Sequence, residues 1–171
     1  MRAACAYRRE IRDTFGALRM LFQMKVRGLM FDPYHPSVYI LVLRDDESGE
    51  VLPLWIDKSD AQAISLALEG VFTQRPLTHD LMKNILDALD AKIISVVVSD
   101  LKDTVYHAKI HLLYRDAEVS IDARPSDAIA LALRADVPIF AAGEVIQKKG
   151  AQDLGQWLAG LSAEDFGRYS T

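Results

Sequence analysis

A chain of 171 residues, half of them hydrophobic, is long enough for one domain with a sizeable core and too short for two large ones. A net charge of −4 argues against broad, non-specific attraction to polyanions, though a local basic cleft stays open, and the single cysteine, Cys5, excludes an intramolecular disulfide and a cysteine metal cluster. No apolar run reaches transmembrane length and the first residues lack the continuous apolar stretch of a secretory signal, so the expectation is a soluble cytoplasmic protein.

Residues 1–23 read as an N-terminal extension. Arg2, Arg8, Arg9, Arg12 and Arg19 accompany Phe15, Leu18, Leu21 and Phe22 at roughly helical spacing. This is either a basic amphipathic helix for a membrane surface or nucleic acid, or an accessory segment upstream of a start at Met20 or Met24. The globular domain is expected over 24–147. Its first half reads as a strand over 25–31, a turn cluster over 32–36, a strand over 38–43, a polar hairpin loop over 45–50 and a strand over 51–56. A helix over 58–69 ends at Gly70, and a second, over 78–90, has Thr78 as N-cap and Leu81, Ile85, Leu86 and Leu89 as its buried stripe.

The second half reads as strands over 93–98, 106–114 and 118–122, then a helix over 125–134. Pro125 makes the chain turn, Ser126 is the expected cap, and the apolar run from Ala128 to Leu133 predicts a helix buried on most sides. Short strand-like pieces follow at 138–141 and 144–147 around a turn at Gly143, then a hinge at 148–150. The C-terminal tail, 148–171, carries a short amphipathic helix with Leu154, Trp157, Leu158 and Leu161. The fold class is α+β: a curved, mostly antiparallel sheet with helices packed against it.

One pattern occurs twice. Ser59-Asp60-Ala61 follows a strand and opens an apolar helix, and Ser126-Asp127-Ala128 does the same 67 residues downstream. Ala63 then matches Ala130, and Ile64 and Leu66 match Leu131 and Leu133. The shared order reads as an internal duplication of a strand–strand–helix unit within one pseudo-symmetric domain.

The second copy carries the denser charge cluster. Asp122, Arg124, Ser126 and Asp127 crowd a strand-to-helix corner, where carboxylates suit a metal and Arg124 a phosphate, or where a cap and an Arg–Asp pair merely fix the turn. Thr78-His79-Asp80 is the second candidate: a histidine beside a carboxylate at a helix start suits general base work or anion binding, unless Thr78 and Asp80 only cap the helix. Arg75 adds a phosphate-capable group just upstream. His107 and His111 share a strand face without an evident third zinc ligand, and Asp90-Ala91-Lys92 and Asp100-Leu101-Lys102 match only the commonplace end of a nuclease motif. Gly-rich phosphate loops, Gly-x-Ser-x-Gly and His-Glu-x-x-His are absent from the sequence.

Taken together, 52–56 (Leu-Pro-Leu-Trp-Ile), 68–70 (Leu-Glu-Gly), 75–81 (Arg-Pro-Leu-Thr-His-Asp-Leu), 100–101 (Asp-Leu) and above all 122–134 (Asp-Ala-Arg-Pro-Ser-Asp-Ala-Ile-Ala-Leu-Ala-Leu-Arg) resemble the bifunctional nuclease family. These motifs span about 24–147 in order, and the tail around Trp157 and Phe166 is also similar to bacterial members. The resemblance implies hydrolysis of DNA and RNA, with nucleic acid as partner and substrate, and a homodimer. For that chemistry the candidate metal ligands are Asp122 and Asp127, holding a divalent ion such as Mg, with His79, aided by Asp80, as base. Arg75, Arg124, Ser126 and Arg134 are the candidate substrate-binding groups. The assignment requires the Thr-His-Asp turn and the Arg-Pro-Ser-Asp corner to meet in space. The competing reading is a non-catalytic interaction or regulatory domain in which both motifs serve the fold or subunit contacts.

Overall fold

The computed structural model describes residues 20–32, 35 and 37–149. Seven strands, β1 (Leu21–Phe31), β2 (Val38–Arg44), β3 (Val51–Asp57), β4 (Lys92–Lys102), β5 (Val105–Tyr114), β6 (Ala117–Ala123) and β7 (Ile139–Ala142), form one sheet in the order β3-β2-β1-β7-β4-β5-β6. All neighbours are antiparallel except β4 and β7. The helices among the described residues are α1 (Lys58–Leu68), α2 (Thr78–Ala88), α3 (Pro125–Ala135) and α4 (Gly143–Lys149). The chain is thus α+β, as its pattern predicts.

The sheet buries its alternate residues against α1 and α3. Tyr39, Leu41 and Leu43 of β2, Leu52, Leu54 and Ile56 of β3, Val96 and Val98 of β4 and Ala108, Ile110 and Leu112 of β5 form one core with Ile64 of α1 and Ile129 and Leu131 of α3. Strand β2 is apolar at nearly every position because its other face is also covered: Ile40 and Val42 pack there with Met30. Two-residue loops close the last hairpins. Asp103 and Thr104, then Arg115 and Asp116, all take positive φ, the backbone twist that a tight antiparallel turn needs.

The two halves share an element order. A meander β1-β2-β3 leads into α1, a meander β4-β5-β6 leads into α3, β7 joins the two meanders, and α1 packs on α3. The strands preceding the two Ser-Asp-Ala helices are the two outer strands of the sheet.

Several local expectations are corrected. The cap of α1 is Asp57, whose carboxylate accepts the Asp60 N–H at 2.9 Å and the Ser59 hydroxyl at 2.7 Å. In α3 Arg124 is the N-cap residue and Pro125 opens the first turn, where a missing N–H costs nothing, so Ser126 sits inside the helix and is buried. In α2 the N-cap is Leu77, not Thr78, and the Asp80 carboxylate accepts the Leu77 N–H at 2.9 Å. The residues at 144–147 are helical rather than extended, and α4 continues through 149, so the first two residues of the expected hinge are helical and Gly150 lies outside the described residues. Val145 and Ile146, adjacent and both buried, fit either period. Strand β1 begins at Leu21, four residues earlier than expected, because 21–24 pair with β7.

The largest correction concerns α2. Leu81, Ile85 and Leu89 are 53%, 50% and 59% exposed, while Leu86 packs against the core and His79 is the helix's buried residue. The expected tail helix around Trp157 and most of the N-terminal extension lie outside the described residues. Among the described residues no helix is long and apolar enough to cross a membrane.

Candidate active site

The start of α3 is fixed by Pro125 and by the apolar run that seats the helix on β4 and β5. The start of α2 is brought against it by one polar clamp. Arg134, near the end of α3, donates from Nε to Asp80 Oδ1 and from Nη1 to the carbonyls of Ala63 (3.1 Å) and Ala130 (2.9 Å). One guanidinium thereby ties α1, α2 and α3 together. Burial tends to raise the Asp80 carboxyl, but the hydrogen bonds from Arg134 and the Leu77 N–H outweigh it and hold the group below the usual carboxylate range.

That clamp places His79 beside Asp127. His79 Nε2 lies 3.1 Å from Asp127 Oδ1, joining residues 48 apart in sequence. Arg124 donates to both oxygens of the same carboxylate, from Nε to Oδ2 at 2.8 Å and from Nη2 to Oδ1 at 3.1 Å, and Nη2 also reaches Asp60 Oδ1 at 3.1 Å. The Arg124 hydrogen bonds keep the Asp127 carboxyl below its ordinary range against partial burial, and His79 adds to the effect. The guanidinium is held still more firmly protonated, by the hydrogen bond to Asp127 first and by the charge of Asp60.

A cleft of about 370 Å³ opens over this network, lined by Ser59, Asp60, Gln62, Leu77, Thr78, His79, Arg124 and Asp127 among others. Its chemistry is specific: an imidazole oriented by a carboxylate, and an oriented cation whose side chain is 61% exposed. Such a pair suits proton transfer next to an anion.

The remaining predicted residues fall elsewhere. Asp122 lies opposite Lys109 on β5, on the sheet face turned away from α3, since the intervening Ile121 pairs with the core residue Ile110. Arg134 is engaged in its clamp, Ser126 is buried beside a second cleft, and Arg75 is exposed in the α1–α2 connection, lining neither cleft. His111 lies 3.1 Å from Glu118. A divalent cation needs several oxygens turned towards it. Both Asp127 oxygens face Arg124, one also faces His79, and Asp122 points from the other sheet face. Among the described residues no three His, Cys, Asp or Glu side chains form a metal-holding group, so the Asp122–Asp127 pair does not fit one. Sequence reasoning missed Asp60, the second carboxylate on Arg124. Its signal was present: Asp60 is the counterpart of Asp127 in the repeated Ser-Asp-Ala pattern.

A family model described as the bifunctional nuclease domain matches residues 41–153. An uncharacterized protein of Mycobacterium tuberculosis is 39% identical over 111 residues, 65% of this chain and 66% of that protein. Bifunctional nuclease 2 of Arabidopsis thaliana is 29% identical over 109 residues, 62% of this chain and 33% of that protein. Bifunctional nuclease 1 of Oryza sativa subsp. indica is 24% identical over 110 residues, 63% of this chain and 32% of that protein. The match therefore covers just under two thirds of the bacterial relative and about a third of the plant ones. The matched region contains β3, α1, α2 and α3 with every residue of the His79–Asp127–Arg124–Asp60 network, and the chain belongs to the bifunctional nuclease domain family.

Proposed function

We propose that this chain is a nuclease that hydrolyses phosphodiester bonds of DNA and RNA in the cleft over His79, Arg124 and Asp127. The observation that carries this reading is the 3.1 Å contact between His79 and Asp127, which joins the family's two polar motifs at one cleft with Arg124 in its wall. Arg124 offsets the charge of the phosphate. Asp127 accepts the His79 Nε2 proton, which fixes the tautomer and leaves Nδ1 to take a proton from water. The water oxygen attacks phosphorus, the bond to the leaving oxygen breaks, solvent protonates that oxygen, and His79 releases its proton to solvent. Asp127, Asp60 and Asp80 are positioning residues here. The cytoplasm is the proposed compartment.

A homodimer is part of the proposal. The specific support is the apolar face of α2, where Leu77, Leu81, Met82, Ile85 and Leu89 are all at least 41% exposed.

The test is cleavage of single-stranded DNA and RNA by the parent, Asp127→Asn and His79→Ala, first with chelator and then with Mg²⁺ added back. Both variants should lose at least roughly a hundredfold in rate. Asn keeps the size of Asp but turns an NH2 donor towards Arg124 or His79, so the thermal midpoint should also fall, by the equivalent of about 1–2 kcal/mol, with the variant still folded. Full cleavage by both folded variants would overturn the assignment.

A further inference from the structure

Some groups of the His79 cleft are committed within the protein and others are left to a substrate. On Arg124, Nε and Nη2 are taken by Asp127 and Asp60, and Nη1 has no partner among the described residues. On His79, the imidazole makes one hydrogen bond, to Asp127, and it occupies Nε2. Only 11% of that side chain is exposed, so its free nitrogen meets what enters the cleft rather than bulk water. The Gln62 carboxamide and the Thr78 hydroxyl line the same cleft, are exposed, and have no partner among the described residues. A substrate therefore meets one cation, one proton acceptor and two neutral hydrogen-bonding groups.

The cation does not act at full strength, because its charge is shared with the carboxylates of Asp60 and Asp127. Attack on a phosphodiester develops negative charge on the phosphate oxygens, and a shared guanidinium relieves only part of it. A well-placed nucleophile then gains most. A water molecule has to be captured from solvent and oriented, and both carboxylates that line the cleft are turned to Arg124 instead. A hydroxyl already attached beside the phosphate needs no capture, and a well-oriented intramolecular nucleophile has an effective molarity of roughly 10⁵–10⁸ M. RNA carries such a hydroxyl on each ribose, next to the 3′-oxygen, and DNA does not. That hydroxyl both donates and accepts hydrogen bonds, which suits His79 Nδ1 for its proton and Gln62 and Thr78 for the sugar edge around it.

We infer that on RNA the nucleophile in this cleft is the substrate's own ribose 2′-hydroxyl. This rests on the nuclease reading and deepens it: RNA is the preferred substrate, and water serves DNA more slowly in the same cleft. His79 Nδ1 takes the proton from O2′. O2′ bonds to phosphorus, and the bond from phosphorus to O5′ of the next nucleotide breaks. Solvent protonates O5′, and His79 releases its proton to solvent. The products are a 2′,3′-cyclic phosphate and a 5′-hydroxyl, with no net uptake of water. Water then opens the cyclic ester to a phosphomonoester.

The experiment uses the full chain with Mg²⁺ present and compares three 5′-labelled single strands. One is all deoxynucleotides, one has a single internal ribonucleotide, and one has that ribose 2′-O-methylated. The parent should cut on the 3′ side of the ribonucleotide at least roughly a hundredfold faster than it cuts either other strand. Mass spectrometry should find a 5′-hydroxyl on the downstream fragment and a cyclic phosphate on the upstream one. His79→Ala, purified in parallel, should lose this cleavage, which separates it from that of a contaminating ribonuclease. Circular dichroism accompanies the assay, and should His79→Ala unfold, His79→Gln, which still donates to Asp127, reads the same loss. Equal cutting of the ribonucleotide and 2′-O-methyl strands, or a 5′-phosphate on the downstream fragment, would overturn the 2′-hydroxyl route and leave the nuclease reading standing. Failure to cut any strand, or undiminished cutting by the folded His79 variant, would overturn both.

Discussion

Asp60 and Asp127 occupy the same step of two different helices and hold one guanidinium between them, that of Arg124, at 3.1 Å and 2.8 Å. The two Ser-Asp-Ala helix starts thus converge on a single cation. Asp60 is buried, with 10% of its side chain exposed, whereas Arg124 reaches into solvent with 61% exposed. The arrangement leaves one face of the guanidinium towards the clefts while its charge is shared by two carboxylates behind it.

That sharing predicts an asymmetry. Arg124→Ala leaves the buried Asp60 carboxylate without its cation and should cost about 1–2 kcal/mol, a figure kept low because solvent screens the exposed guanidinium. Adding Asp60→Asn to Arg124→Ala should recover most of the loss without restoring cleavage. Denaturant unfolding of the two single variants and the double variant gives the coupling directly. Additive losses would mean that the Asp60–Arg124 contact contributes little to stability.

Acid should destabilise the fold in two stages. The His111 imidazole is pushed below its ordinary value of 6.5 by burial, which Glu118 only partly opposes, so the unfolded chain takes up this proton first. Its contribution is complete above that value and is lost as pH falls through the lower folded value. Asp57, through Ser59 and the Asp60 N–H, Asp80, through Arg134 and Leu77 against burial, and Asp127, through Arg124, all have carboxyls held below 3.8. Their contributions are complete above 3.8 and are lost on further acidification through the folded values. Thermal midpoints measured from pH 8 to pH 3 should show both limbs. His111→Phe should flatten the first and Asp80→Asn the second.

The sequence reads well where local signals agree and poorly where a long-range partner decides. Pro125 followed by the apolar run from Ala128 to Leu133 is enough to place α3, and the alternation in β5 places Ala108, Ile110 and Leu112 in the core. Periodicity also finds the apolar face of α2, but it cannot say what covers that face, so Leu81 and Ile85 are read as core and are found on the surface. At α4 the neighbouring Val145 and Ile146 satisfy strand and helix alike. The meeting of His79 with Asp127 is a condition the motifs impose and the fold meets, whereas the contact between Asp60 and Arg124, 64 residues apart, depends on both outer strands ending at the same place. Asp122 looks like part of the corner because it is close in sequence, yet strand alternation turns it to the other face, opposite Lys109.

The last point yields a sharp contrast between two carboxylates in one motif. Asp122→Asn should change cleavage by less than about threefold, because its side chain belongs to the sheet face away from the His79 cleft, whereas a lost metal ligand or charged catalytic partner costs orders of magnitude. The measurement is the single-strand assay with Mg²⁺ present. A loss matching that of Asp127→Asn would restore Asp122 to the reaction and require the corner to rearrange when substrate binds.

The exposed face of α2 gives the final prediction. Leu77, Leu81, Ile85 and Leu89 follow one another at steps of four, the ridge that interdigitates with its own copy when two helices cross at about −50°. A twofold axis through α2 would bring each ridge onto the other and would also shelter Met82. Light scattering at micromolar concentration should therefore report a dimer for the parent. Leu81→Glu combined with Ile85→Glu should give a monomer, because like charges would face each other across the axis. Within the monomer these two side chains are half exposed and contribute little to the core, so the double variant should keep its secondary structure, with a thermal midpoint that no longer depends on protein concentration. A parent that is monomeric at these concentrations, or a double variant that remains dimeric, would place the subunit contact elsewhere. The His79 cleft opens at the N-terminal end of the same helix, so cleavage measured on the monomeric variant shows whether the second copy is needed to hold α2 in place.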